Sequence, residues 1–208
     1  MLVHTITVGP FFENCFLVAD EKTKEVWIID PGAEGVRIRS EIQRLGLKPS
    51  KILLTHAHGD HIGAVDELRK FYSIPVFIHE KDHPLLIDPQ ENLSAAFGMP
   101  ISAEKADGFL VEGDKLNLSG LQFEVIETPG HTPGGITIHG EKIAFTGDAL
   151  FAGSIGRYDF PHSDGELLFR SLQKLLKLPD ETTVYSGHGP ATTIGQERNT
   201  NPFLLELD

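Results

Sequence analysis

Cysteine is almost missing from this chain, with Cys15 alone among 208 residues. A single thiol excludes an internal disulfide and fits a reducing compartment. Cys15 lies in the run Asn14-Cys15-Phe16-Leu17-Val18 and is expected as a buried structural thiol, behaving as a small hydrophobe. Basic residues are also scarce: 18 Lys and Arg stand against 30 Asp and Glu, for a formal net charge of −12. That balance repels the phosphates of nucleic acid and anionic lipid headgroups, and no local basic patch offsets it, so neither is expected as a partner. No apolar run approaches the ~18 residues that a membrane span requires. The start, Met1-Leu2-Val3-His4-Thr5-Ile6, has no basic region followed by a long apolar one, and a cytoplasmic protein is expected. Low-complexity tracts, repeats of fixed period and a dividing linker are absent as well. With 40% hydrophobic and 23% charged residues, a single domain over 1–208 is expected to bury its own core.

What is present reads as alternating strands and helices. Leu2 to Val8, Cys15 to Ala19 and Glu25 to Ile29 are β-branched or alternating segments separated by turn residues, a β-meander. Val36, Ile38, Ile42 and Leu45 repeat at roughly helical spacing and Gly46 can end that helix. A strand over 51–54, a helix over 62–72 and a strand from Pro75 to His79 give one βαβ passage. Residues 84–108 are punctuated by Pro and Gly and carry Leu85, Leu86, Phe97 and Met99, which suits a lid or substrate wall as well as a packed loop. Strands follow at Lys115 to Leu118, Leu121 to Glu127, Gly135 to His139 and Lys142 to Thr146, then a helix over 165–177 and a strand from Thr182 to Tyr185. Strands then helix, twice over, predicts an α/β (α+β) chain folded as a four-layer αββα sandwich.

Residues 55 to 61 read Thr55-His56-Ala57-His58-Gly59-Asp60-His61, which places four potential metal ligands between an apolar strand and a helix. Composition alone produces such a cluster in on the order of one chain in a thousand. His131 in Thr128-Pro129-Gly130-His131-Thr132, Asp148 in Thr146-Gly147-Asp148 and His188 in Ser186-Gly187-His188-Gly189 each follow a predicted strand and sit among small residues. Five His and two Asp from four strand ends point to a metal site, since strand ends are where α/β folds place their chemistry. Imidazole nitrogen and carboxylate oxygen without thiolate suit zinc first, with iron or manganese as alternatives. The ligand count favours two divalent ions, one held by His56, His58 and His131, the other by Asp60, His61 and His188, with Asp148 bridging. A hydroxide between ions ~3.5 Å apart would then supply the nucleophile near neutral pH. Asp30, after the strand 25–29, suits a carboxylate that accepts an N–H from a ligand His, or an ordinary helix or turn cap. His4, His79, His83, His139 and His162 lack such a context and read as ordinary polar residues.

These four motifs together resemble the metallo-β-lactamase superfamily and, within it, the glyoxalase II-like hydrolases; the likeness spans residues 1 to about 200. The resemblance implies the αββα fold and hydrolysis of a thioester such as S-D-lactoylglutathione. It is nearest to the small bacterial type II glyoxalases, through Gly187 to Pro190 and the Arg- and Pro-containing Gln196 to Phe203. It further implies that Asp60 orients the attacking hydroxide as well as binding metal, and that Arg157 in Gly156-Arg157-Tyr158 meets an anionic substrate such as a glutathione conjugate. Larger glyoxalases II continue after the last His ligand with a helical domain, whereas twenty residues follow His188 here, so another thioester or an ester also fits. The same likeness admits a persulfide dioxygenase holding one iron through His56, His131 and Asp148, and a lactonase. It disfavours a β-lactamase, in which a bridging carboxylate is generally lacking, and a nuclease, for which the chain is too acidic.

Overall fold

The computed structural model describes residues 1–205. Strands β1 (Leu2–Val8), β2 (Glu13–Ala19) and β3 (Glu25–Ile29) form the antiparallel meander, with Leu2 opposite Ala19 and Phe16 opposite Ile29. Alternate residues of these strands face two different cores. Cys15, Leu17, Val26 and Ile28 pack to one side, while Phe16, Val18, Trp27 and Ile29 pack to the other. A strand with apolar side chains on both faces is what a sheet covered on both sides requires.

The chain then passes through α1 (Gly35–Arg44), β4 (Lys48–Leu53), α2 (Gly59–Ile62), α3 (Val65–Tyr72), β5 (Val76–Ile78), α4 (His83–Ile87) and β6 (Gly108–Phe109). The first sheet has the order β1-β2-β3-β4-β5-β6, parallel from β3 onward. The second part contains β7 (Lys115–Leu118), β8 (Leu121–Glu127), β9 (Ile136–Gly140), β10 (Ile143–Gly147), the small hairpin β11 (Leu150–Phe151) and β12 (Ser154–Ile155), then α5 (Gly165–Leu175), β13 (Thr183–Ser186), β14 (Thr192–Thr193) and α6 (Ile194–Thr200). Its sheet runs β14-β13-β10-β9-β8-β7.

Three hydrophobic clusters define the layers. Ile38 and Ile42 of α1 and Val65 and Leu68 of α3 pack on the outer face of the first sheet. Trp27, Ile29 and Leu53 meet Phe123, Val125, Ile138 and Phe145 between the sheets. Leu168, Leu172 and Leu175 of α5 cover Val184 and Leu150 on the far side. The expected αββα sandwich is therefore the architecture adopted.

Several boundaries differ from the sequence reading. The helix expected over 62–72 is broken at Gly63 and Ala64, because the Ala64 N–H bonds to the Pro31 carbonyl and ties the chain to the loop after β3. The strand expected over 51–54 begins at Lys48, where the Lys48 N–H pairs with the Lys24 carbonyl despite Pro49. The segment Gln196 to Phe203 lies mostly in α6, with the Thr193 hydroxyl accepting the Gln196 N–H at 3.1 Å. Within 84–108, Leu85, Leu86 and Ala103 are buried in the core beneath the first sheet's helices, whereas Phe97 and Met99 stay exposed. The segment is thus anchored at both ends and presents a surface in the middle. Cys15 is free and buried. Among the described residues no helix is long and apolar enough to cross a membrane.

Candidate metal centre

Each arm of the site begins where a strand ends. Residues 55–61 leave β4, Asp30 leaves β3, His131 follows β8, Asp148 follows β10 and His188 follows β13. The Thr55 N–H and hydroxyl both donate to the Asp30 carboxylate, at 2.7 and 2.5 Å, joining two neighbouring strand ends. Asn14 donates through Nδ2 to the carbonyls of Ser186 and Gly189 at 3.1 and 2.9 Å and holds the turn that carries His188. Gly187 allows that turn to come close: a Cβ there would overlap Asp148 Oδ1 and lie 2.6 Å from His61 Cε1.

The fold brings the seven predicted ligand residues together from four loops. His56, His58 and His131 offer nitrogens within 4.8 Å of one another, and so do the donor atoms of Asp60, His61 and His188. Asp148 stands between the groups, its oxygens 3.4 Å from His61 Nε2, 3.5 Å from His131 Nε2 and 3.6 Å from His188 Nε2. His58 Nδ1 faces His131 Nε2 at 2.9 Å, and His188 Nε2 faces Asp60 Oδ2 at 3.3 Å.

The outward ring nitrogens have oxygen partners. His131 Nδ1 is 2.8 Å from the Arg157 carbonyl, His188 Nδ1 is 3.0 Å from the Phe11 carbonyl, and His61 Nδ1 is 3.1 Å from Asp30 Oδ2. Because these oxygens only accept, each bond assigns a proton to Nδ1 and turns Nε2 inward. Inside the cluster, the buried atoms His56 Nε2, His61 Nε2 and Asp148 Oδ1 have no hydrogen-bond partner. An unpaired buried polar group costs ~1–3 kcal/mol, and cations at this point would satisfy all three. The donor set and its orphaned atoms therefore fit divalent metal. Asp30 forms a further threefold group with His56 and His61, but its carboxylate already accepts from Thr55 and faces His61 Nδ1, so it sits behind His61.

The protonation states suit cation binding. Burial lowers His56 well below the ordinary imidazole value and pushes His58 down to about 3, the neighbouring imidazoles adding to the effect. Burial works against ionised Asp148, yet the charge of His61, whose Nε2 faces it at 3.4 Å, prevails and holds this carboxyl well below its usual range. Asp60 follows the same pattern more weakly, burial being outweighed by His188, whose Nε2 faces it at 3.3 Å, and by the charge of His61. His61 runs the other way: burial opposes its proton, but Asp148 and Asp30 raise it well above the normal value. A metal ion would replace that proton.

Sequence reasoning missed Glu13. It is 1% exposed, neither carboxylate oxygen has a partner, and Oε1 is 3.8 Å from His61 Nδ1. Burial pushes its carboxyl well up. The available signal was an acidic residue opening a wholly buried strand next to Asn14. The Phe11 carbonyl, the partner of His188, carries no sequence signal because any residue supplies one. His4, His79 and His162 instead pair with Glu41, Glu127 and Glu91, His83 lies against the Phe109 ring, and His139 lies in β9. Beside the cluster lies a cavity of about 470 Å³, walled largely by apolar side chains and reaching Asp60, Asp148 and His188. Arg157 lines it, with Nε and Nη2 each 2.8 Å from an oxygen of Asp159 and its guanidinium 4.0 Å above the Phe160 ring.

Residues 8–188 match the sequence pattern of the metallo-β-lactamase superfamily. The hydroxyacylglutathione hydrolase GloC of Haemophilus influenzae is 43% identical, across 98% of this chain and 98% of its own length. Among solved structures, the BLEG-1 B3 metallo-β-lactamase superposes with a TM-score of 0.94 at 44% identity, covering 98% of this chain and 99% of the other. TTHA1623 in a di-iron-bound form gives 0.87 at 43% identity, covering 97% and 100%. ETHE1 from Myxococcus xanthus gives 0.84 at 30% identity, covering 99% and 85%.

Proposed function

The chain belongs to the metallo-β-lactamase superfamily and is a metal-dependent hydrolase; we propose that it is a glyoxalase II-type thioester hydrolase with two divalent ions, zinc first and iron or manganese as alternatives. The observation that carries this reading is Asp148, one carboxylate in reach of histidines from both ligand groups, the position of a bridging ligand. When bound, the cations supply a water acidified toward pH 7 and polarise the carbonyl under attack.

The residues divide the remaining work. His56, His58 and His131 would hold one cation, Asp60, His61 and His188 the other, with Asp148 shared. Asp60 sits on the cavity side of its group, where its free carboxylate lone pairs would orient the attacking water. Asp30 would fix the ring of His61 by accepting its Nδ1 proton. A thiolate leaves readily without a proton donor, which accords with a cavity whose ionisable groups are those already assigned and Arg157. Arg157 would meet an anionic group only on release from its two bonds to Asp159. The relative named hydroxyacylglutathione hydrolase is matched over 98% of its own length, which supports a glutathione thioester among the substrates.

A second reading, a mononuclear-iron persulfide dioxygenase, has the support of the 30% identity to ETHE1. One preparation decides between them when its metal content is measured alongside two assays. Hydrolysis of S-D-lactoylglutathione with oxygen excluded is expected, together with close to two metal equivalents per chain. Oxygen uptake dependent on glutathione persulfide, with one iron per chain, would replace the hydrolase by the dioxygenase. A β-lactam in the same panel tests the likeness to the B3 enzyme, and no turnover of it is expected.

A further inference from the structure

The cavity beside the metal centre is built of side chains that offer a substrate almost nothing polar. Phe11, Phe97, Met99, Ile101, Phe151 and Phe160 all line it. Phe11 and Phe97 meet edge to face at 5.3 Å, closing the loop after β1 against the segment 84–108. The polar residues among these walls are already engaged. Asn92 donates from Nδ2 to the Leu85 and Ile101 carbonyls at 2.9 and 2.8 Å, and its Oδ1 accepts the Ser94 hydroxyl at 2.6 Å. Ser94 Oγ in turn accepts the Ile101 N–H at 2.8 Å. The single lining cation, Arg157, has two of its donors on Asp159.

Glutathione carries two carboxylates and an ammonium, and burying ionised groups without partners is strongly unfavourable. We propose that this site takes an uncharged thioester with an apolar acyl group of medium chain length or an aryl ring, in preference to a charged glutathione conjugate. The volume of about 470 Å³ suits a molecule of that size. This inference rests on the thioester hydrolase reading and names its substrate class.

The test uses the metal-loaded full chain with acetyl, butyryl, hexanoyl and benzoyl thioesters of N-acetylcysteamine, and with S-D-lactoylglutathione. kcat/KM is expected to rise about two- to fourfold per added methylene from acetyl to hexanoyl, and to exceed the value for S-D-lactoylglutathione. Phe97→Ala, at an exposed wall position, is expected to flatten that trend. Asp159→Asn frees the Arg157 guanidinium and is expected to lower KM for S-D-lactoylglutathione about three- to fivefold while leaving the hexanoyl thioester unchanged. Independently of turnover, calorimetry with the non-hydrolysable S-hexyl thioether of N-acetylcysteamine is expected to show binding with a negative heat-capacity change. If S-D-lactoylglutathione is preferred over every neutral thioester and the hexyl thioether does not bind, the apolar assignment is overturned while the hydrolase reading stands. Binding of the thioether without hydrolysis of any thioester upholds the apolar cavity and defeats the hydrolase reading instead.

Discussion

Asp148 is within 3.6 Å of His61, His131 and His188, which belong to two separate ligand groups, so its removal affects both at once. Asp148→Ala is expected to abolish metal-dependent hydrolysis and leave a folded chain, checked by turnover alongside circular dichroism and metal content. Undiminished turnover in a metal-replete variant would defeat the two-ion arrangement. His58 makes a different prediction, for the metal-stripped protein. Its folded value is pushed down to about 3, whereas the unfolded chain takes up that proton near 6.5. Its stabilising contribution is therefore fully present above about pH 6.5 and is lost as the pH falls toward 3, at up to ~1.4 kcal/mol per pH unit. Denaturation midpoints for wild type and His58→Gln are expected to diverge below pH 6.5, the wild type losing stability faster. His61 and His188 shift in the opposite sense, but they are present in both proteins and largely cancel from the difference.

At the scale of elements, the site depends on how α5 meets the loop after β8. Asp164 caps α5 by accepting the Leu167 N–H at 3.0 Å, and its own N–H bonds to the Gly130 carbonyl. Gly130 adopts φ +131°, and a Cβ there would overlap the Leu168 backbone nitrogen and lie 2.6 Å from Leu168 Cβ. The next residue is His131, so any accommodation moves a metal-site imidazole. Gly130→Ala is expected to lower stability by several kcal/mol, on the order of an overpacked core position with added backbone strain, and to weaken metal affinity with it. Urea unfolding and a competitive chelator titration measure the two effects, and an unchanged metal affinity would separate α5 packing from the site. Leu172→Ala, buried on the same helix one turn beyond Leu168, is expected to cost ~2–5 kcal/mol while leaving metal affinity intact.

For the whole molecule, metal and stability are linked because buried His56 Nε2, His61 Nε2 and Asp148 Oδ1 have no partner within the protein. Free metal at 100 times its dissociation constant is expected to stabilise the chain by ~2.7 kcal/mol. Chelation should lower the melting temperature and abolish turnover together, and added zinc, iron or manganese should restore both. Equal melting temperatures before and after complete metal removal would show that the cluster holds no ion.

How much of this was legible in sequence follows from the range of the forces concerned. The order of strands then helix, twice over, follows from local patterns, so the four layers could be read directly. The two cores that β2 and β3 serve, Cys15, Leu17, Val26 and Ile28 on one side and Phe16, Val18, Trp27 and Ile29 on the other, came from the structure. His56 to His61 could also be read directly, since the spacing across a strand-to-helix turn is set by the chain itself. Helix breaks and short strands were less legible: α2 stops because Ala64 bonds to Pro31, a contact between loops. Sequence by itself determined the donor chemistry and the strand ends that present it, because hydrophobic period and residue type act over a few positions. Only the tertiary structure decided that Asp148 stands between the two groups, that Glu13 is buried behind His61 and that Arg157 is held by Asp159 on the wall of an apolar cavity. Those distances arise from the packing of two sheets and the loops between them, which no local propensity encodes.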